Sequence, residues 1–317
     1  MTADTATAVP IRAKQRPGDS VFKFLSTFSG SLILAILAAV FLFLLFQGMP
    51  ALLPGAAEKS SFLQHADGSF LAYVWPLVFG TLWAALIALV FAVPVSIGIA
   101  LFITHYAPRK LAQTLGYIID LLAAVPSVVF GLWGATVLGP FLQPFYAWLG
   151  ENAGWIPLFS GTVSATGRTI LTAAVVLSVM CLPIITALTR EVFLQTPRLH
   201  EEAALALGAT RWEMIKMAVL PFARSGMVSA IMLGLGRALG ETMAVAMVLS
   251  ATGVVSFELL TSKNPSTIAA NIALTFPEAS KLDINVLIAS GLVLFAITLI
   301  VNSIARWIVA RRSVGGK

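Results

Sequence analysis

Charge is scarce in this chain of 317 residues. Asp, Glu, Lys and Arg make up 11% of it, where a soluble domain carries about 25%. That scarcity excludes an ordinary soluble globular protein. Cysteine is scarcer still: Cys181 stands alone, so no disulfide framework can form within the chain. The three histidines, His65, His105 and His200, lie far apart. They show no metal-ligand spacing, read as loop residues, and leave no metal site to expect. No phosphate-binding Gly-Lys-Ser/Thr loop occurs, so the chain is not expected to hydrolyse ATP itself. No other catalytic constellation appears. A cleavable leader is not evident either. The first apolar run begins near Ser29 after a long polar start, and it exceeds an h-region of ~7–15 residues.

Apolar residues are what the chain has in abundance. They form 58% of it, and the mean hydropathy is +0.93. Apolar runs fall at 29–47, 75–104, 113–139, 169–190, 221–251 and 284–307. Each is long enough to cross a hydrocarbon core of ~30 Å as a helix. The expectation is an all-α, polytopic membrane protein with about six transmembrane helices. Residues 1–28 form an N-terminal segment, 29–307 the membrane domain, and 308–317 a tail.

The net charge of +6 would suggest nucleic acid in a soluble protein. Here the basic residues gather in alternate connections: Arg12, Lys14, Arg16 and Lys23; Arg109 and Lys110; the loop from Arg190 to Arg224; and Arg306, Arg311, Arg312 and Lys317. The other connections hold Lys59, Lys263 and Lys281, with Arg168 at a helix edge. The first set is cytoplasmic by the positive-inside rule, which puts both termini there and makes nucleic acid an unneeded partner. Pro94, Pro126 and Pro183 fall inside apolar runs, where proline kinks a helix. Such kinks serve ordinary packing or a gate, and the sequence does not separate the two. The external segments 48–74, 140–167 and 252–283 are long enough to dock a partner. Trp148 and Trp155 within them could equally anchor at the membrane interface.

The connection "EEAALALGATRWEMIKMAVLP" (201–221) carries more information. Helix formers, a break at Gly208 and a renewed helical pattern ending at Pro221 predict two short helices lying on the membrane face. Such a pair can dock into a groove on another protein. The segment resembles the EAA motif of ABC transporter permeases through Glu202, Ala203, Ala204, Gly208, Leu220 and Pro221. Ala218 departs from the usual Ile. The resemblance implies a coupling loop, about 198–221, that fits a cleft in a cytosolic ATPase.

A second stretch, "GLGRALGETMAVAMVLS" (234–250), places Arg237 and Glu241 in an apolar run. A mid-membrane charge costs at least ~2.5–3.5 kcal/mol on insertion scales. Four residues apart on one helix, the two can pair along a face. Gly236 and Gly240 form a small-xxx-small pattern that suits close helix packing. A dinucleotide loop is excluded, because the glycine spacing is wrong and no strand precedes it. The pair either fixes helix packing or lines a path for an anion. The guanidinium fork suits an oxyanion. Glu241 could orient that fork, neutralise it when the path is empty, or accept a proton from a protonated oxyanion. Asp120, near the start of the third run, reads as a hydrated helix-end carboxylate.

"GRALGETMAVAMVLS" and "AAVPSVVFGLWG" (123–134) closely resemble the phosphate-specific ABC importer permeases, C-type subunit. The likeness runs from the first apolar run to the last and leaves the N-terminal 20 or so residues uncovered. It implies the type I ABC importer permease fold and a heterodimer with an A-type permease. It also implies two cytosolic ATPase subunits that bind the ATP and Mg, with no cofactor in this chain, and a periplasmic phosphate-binding protein. The substrate would be inorganic phosphate, and the site the lipid-embedded bacterial inner membrane. Two other readings stay open: a permease for sulfate or molybdate, which uptake competition would separate, and an ATP-independent transporter, which predicts inverted repeats and no docking loop.

Overall fold

The computed structural model describes residues 17–53, 55–66 and 68–313. The basic residues Arg12, Lys14, Arg16 and Lys317, and the side chains of Lys59, Arg311 and Arg312, lie outside that description. The described chain is helical nearly throughout, with isolated β-bridges at Val163–Thr261 and Ala251–Asn264. Among the described residues, six helical segments are long and apolar enough to cross a membrane: Gly18–Leu52, Phe70–Tyr106, Ser127–Ala153, Ile170–Leu194, Arg211–Gly240 and Lys281–Trp307.

The first long helix, α1 (Pro17–Gly48), starts twelve residues before the apolar run at Ser29. It lies outside the bundle and packs on the last helix, with Phe41 against Phe295 at 5.8 Å. Two short helices, α2 (Ala56–Lys59) and α3 (Ser61–Gln64), lead into α4 (Phe70–Leu101), which contains Pro76 and Pro94. Then comes α5 (Arg109–Ala123), followed by α6 (Ser127–Trp133) and α7 (Gly139–Ala153). The central helix, α8 (Ile170–Leu194), contains Pro183 and packs between α4 and the fifth span. Alanines 84, 85, 88 and 92 of α4 meet Leu177, Met180 and Cys181 of α8. Small side chains let the two backbones approach, which is how membrane helices gain packing energy without a hydrophobic driving force.

The third span differs from the sequence expectation. It runs over 127–153 rather than 113–139, because Ala124 closes α5 and Pro126 caps α6. Proline at that cap has no N–H to lose, so it opens a helix rather than kinking one. Helix α5 is amphipathic and lies outside the spans, with Gly116 and Ile119 buried and Asp120 exposed. Asp120 is therefore not a charge inside a span, and the far-side connection shortens to 154–169.

Three wide turns of π-helix share one cause. They cover Phe102–Tyr106, Gly134–Leu138 and Ile215–Val219. In each, the residue just before a proline donates its N–H five residues back: Ala107 to Phe102, Gly139 to Gly134, and Leu220 to Ile215. Prolines 108, 140 and 221 follow directly. A proline cannot donate, and its ring crowds the preceding turn. The widened turn shifts the ladder before that residue arrives.

Candidate functional site

The coupling segment starts at α9 (Arg198–Ala206), which buries no residue. Glu202 and Ala203 are exposed. Ala204 packs partly onto the cluster formed by Phe193, Met214 and Ile215. Glu201 reaches His105, at the end of the α4 span, at 3.7 Å. Gly208 adopts φ +87° and would tolerate a Cβ sterically, since nothing lies within 4 Å. Its role is therefore conformational: a left-handed residue closes α9 and redirects the chain. The next helix, α10 (Arg211–Met214), opens with a capping box. The Thr210 hydroxyl accepts from the Glu213 N–H at 3.3 Å, and Glu213 accepts from the Thr210 N–H at 2.8 Å.

The second half of the loop is not a separate helix ended by Pro221. It continues through the wide turn at Ile215–Val219 into α11 (Leu220–Gly240), making one span from Arg211 to Gly240. Leu220 and Pro221 therefore lie inside a continuous rod joined to the exposed α9.

Arg237 sits in the last turn of the same rod. The rod ends at Gly240, and Glu241 is extended at φ −69°, ψ 128°. The following helix, α12 (Met243–Val248), receives its N-terminal cap from Glu241, whose Oε1 accepts from the Ala244 N–H at 3.2 Å. So the expected pairing of Arg237 with Glu241 along one helix is not made. A carboxylate beside a helix start is held there by free N–H groups and the helix dipole, and the break turns it off the α11 face. Glu241 is 8% exposed. Arg237 has no ion-pair partner among the described residues, and its Nε is buried with no hydrogen-bond partner.

The glycines divide their work differently from the sequence reading. Gly234 packs against Ile185 and accepts a hydrogen bond from Cys181 Sγ on its carbonyl at 3.3 Å. At Gly236 and Gly240, the pair that suited helix packing, an added Cβ would meet nothing within 4 Å among the described residues. Gly236 and Arg237 instead line a cavity of about 790 Å³ between α8, α11 and the last helix, α14 (Lys281–Ser313). Asn302 and Arg306 of α14 line it too. The sequence hid them: Arg306 read as part of a basic tail, and only its one-turn spacing from Asn302 hinted at a shared face. Pro94 and Pro183 sit inside α4 and α8, where the Ser96 hydroxyl donates to the Leu182 carbonyl at 3.3 Å. Among the described residues no cluster of His, Cys, Asp or Glu could hold a metal.

A family described as "Binding-protein-dependent transport system inner membrane component" matches residues 92–314, which include both the coupling segment and Arg237. The chain belongs to that family. Among curated relatives, this binding-protein-dependent permease is similar to the phosphate transport system permease protein PstC 2 of Mycobacterium tuberculosis. The two are 46% identical over 324 residues, covering 100% of this chain and 98% of the relative. It is similar to PstC of Xylella fastidiosa at 40% identity over 301 residues, 93% of this chain and 91% of the relative. Among solved structures it resembles a bacterial ABC transporter involved in the import of the acidic polysaccharide alginate. The TM-score is 0.58 at 15% identity, over 91% of this chain and 98% of that one; this likeness concerns the fold alone. The permease is thus a multi-pass membrane protein with the ABC importer permease fold and a transport subunit by family.

Proposed function

We propose that the chain is one of two permease subunits of an ATP-driven importer of inorganic phosphate, and forms half of its translocation path. The observation that carries the substrate is the 46% identity, end to end, with a phosphate transport system permease. The chemistry agrees with it. Arg237 presents an unpaired guanidinium at a cavity wall, and its fork donates two parallel hydrogen bonds to an oxyanion. The partners in this reading are an A-type permease on the open Gly236–Gly240 face, two cytosolic ATPases with ATP and Mg, and a periplasmic phosphate-binding protein. Glu202, Ala203, Ala204 and Gly208 form the surface that meets an ATPase. The protein lies in the bacterial inner membrane with both termini in the cytoplasm.

The mechanism follows from the rod. ATPase motion displaces α9, and the Arg211–Gly240 span carries it to Arg237 and to the break at Glu241. The test is uptake of labelled phosphate by cells whose own phosphate importer is deleted. Arg237→Gln is expected to abolish uptake while the complex still assembles, judged by co-purification of an ATPase. Normal uptake by that variant would remove Arg237 from the path. Uptake of labelled sulfate or molybdate by the wild type, with none of labelled phosphate, would replace the substrate. Uptake with no ATPase attached would replace the transporter class.

A further inference from the structure

The cavity beside Arg237 has a second cationic wall. Asn302 and Arg306 line it from α14, and Ser229 lines it from α11. Asn302 and Arg306 are one turn apart and share a helix face. Ile300, Ile304 and Trp307 are each more than half exposed, and at 3.6 residues per turn they fall on the opposite side of α14. An arginine that only marks the end of a span has no need of the cavity side; it snorkels to the interface from any face. Arg306 is on the cavity side, and among the described residues it has no ion-pair partner.

The fifth and sixth spans are consecutive, so α11 and α14 run in opposite directions. α11 starts from the coupling loop. Ser229 therefore lies on the coupling-loop side of Arg237, eight residues earlier, a rise of about 12 Å. Arg306 is the last cavity-lining residue of α14 as that helix runs toward the same side. An anion released from Arg237 into an apolar passage loses its countercharge, and a following site shortens that uncompensated stretch. Passage also needs sites weak enough to leave, and Arg306 is exposed where Arg237 is half-buried.

We propose that Arg306, Asn302 and Ser229 form a second station for a phosphate oxyanion, which takes the anion after Arg237. This rests on the phosphate reading above. The Arg306 fork and the Asn302 amide supply donors. The Ser229 hydroxyl already donates to the Ser225 carbonyl at 3.0 Å, so its oxygen is left to accept a hydrogen bond from the O–H of hydrogen phosphate. Two sources carry this chemistry: inorganic phosphate in transit and a phospholipid headgroup.

The test uses the complete importer, with its partner subunits, in vesicles of phosphatidylcholine alone or mixed with phosphatidylglycerol. Arg306→Gln is expected to lower maximal phosphate uptake at least about 10-fold in both lipids, the scale of a lost charge-assisted hydrogen bond. Assembly and ATP hydrolysis are expected to persist, and Arg306→Lys to restore part of the rate. A loss confined to phosphatidylglycerol vesicles, with less of that lipid co-purifying, would overturn the transit role and assign the site to a headgroup. Wild-type uptake by Arg306→Gln in both lipids would overturn the station altogether. If Arg306→Gln does not assemble, Asn302→Leu carries the same test with the same outcomes. A wild-type importer that moves no phosphate would instead overturn the substrate, which separates the two failures.

Discussion

Two segments outside the spans make opposite use of similar material. The far-side segment 250–267 and the coupling segment 198–210 both mix apolar and polar residues, and neither crosses the membrane. The far-side segment pairs most of its buried polar groups within the chain, the Thr261 hydroxyl being the exception. Asn264 is 0% exposed. Its Oδ1 accepts from the Ile170 N–H at 3.2 Å, and its Nδ2 donates to the Ser250 and Thr261 carbonyls at 3.2 and 2.9 Å. Thr81 on α4 accepts from the Ile268 N–H at 2.9 Å. Nearby, Asp283 gathers the hydroxyls of Ser60, Ser61 and Ser280 at 2.6, 3.0 and 2.6 Å. On the coupling side, α9 buries nothing, Leu207 is 89% exposed, and α9 is held by the partial packing of Ala204 and, among the described residues, one long Glu201–His105 contact. The difference separates a fixed frame, with most of its buried polar groups paired within the chain, from a helix that buries none of its residues. Buried polar groups must be paired inside the chain, whereas an exposed apolar helix end leaves its pairing to another surface.

The comparison breaks most visibly at Asn264. Asn264→Ala leaves one backbone N–H and two carbonyls without their partner, at about 1–3 kcal/mol for each buried group. The expected result is a sharp fall in the thermal midpoint of the purified transporter, or failure of the chain to accumulate. A midpoint within a degree or two of wild type would mean that the far-side frame is held elsewhere.

Gly208→Ala sharpens the contrast. A Cβ there meets no neighbour, so the cost is the left-handed conformation alone, about 1–2 kcal/mol. The midpoint is expected to fall modestly, while phosphate uptake and ATPase co-purification fall much further. Gly208→Asn, which tolerates that conformation better, is expected to recover most of both. An equal loss in stability and coupling would contradict a conformational role.

The smallest effect is expected at the His105–Glu201 pair. Partly exposed ion pairs contribute about 0–1 kcal/mol, so Glu201→Gln is expected to leave the midpoint unchanged. A change in ATP hydrolysed per phosphate moved, at constant stability, would show that this contact links α9 to α4. A large stability loss would mean that α9 belongs to the fixed frame after all.

Much of the fold was legible in the sequence because lipid imposes a crude rule. A long apolar run must be a helix, since nothing else satisfies its backbone there. Six spans and the coupling motif followed from that rule and from residue spacing. The third span was misplaced because the apolar end of α5 runs on into α6, although the amphipathic period of α5 is present in its sequence. The second coupling helix was separated from the fifth span because Pro221 reads as a stop. A wide turn just before it lets the helix run on.

The candidate site was half legible. Arg237 announced itself, because a charge in an apolar run needs a reason. Its relation to Glu241 did not follow, since spacing of four implies pairing only on an unbroken helix. Sequence alone determined the class, the number of spans, the resemblance of the 201–221 loop to a permease motif and the unusual charge. Tertiary structure decided where α11 breaks, which glycines pack, and that Arg306 shares a cavity with Arg237. The physical reason is range. Hydropathy and motif spacing are local properties, while a cap, a cavity wall or an unpaired guanidinium is defined by atoms brought together from distant helices.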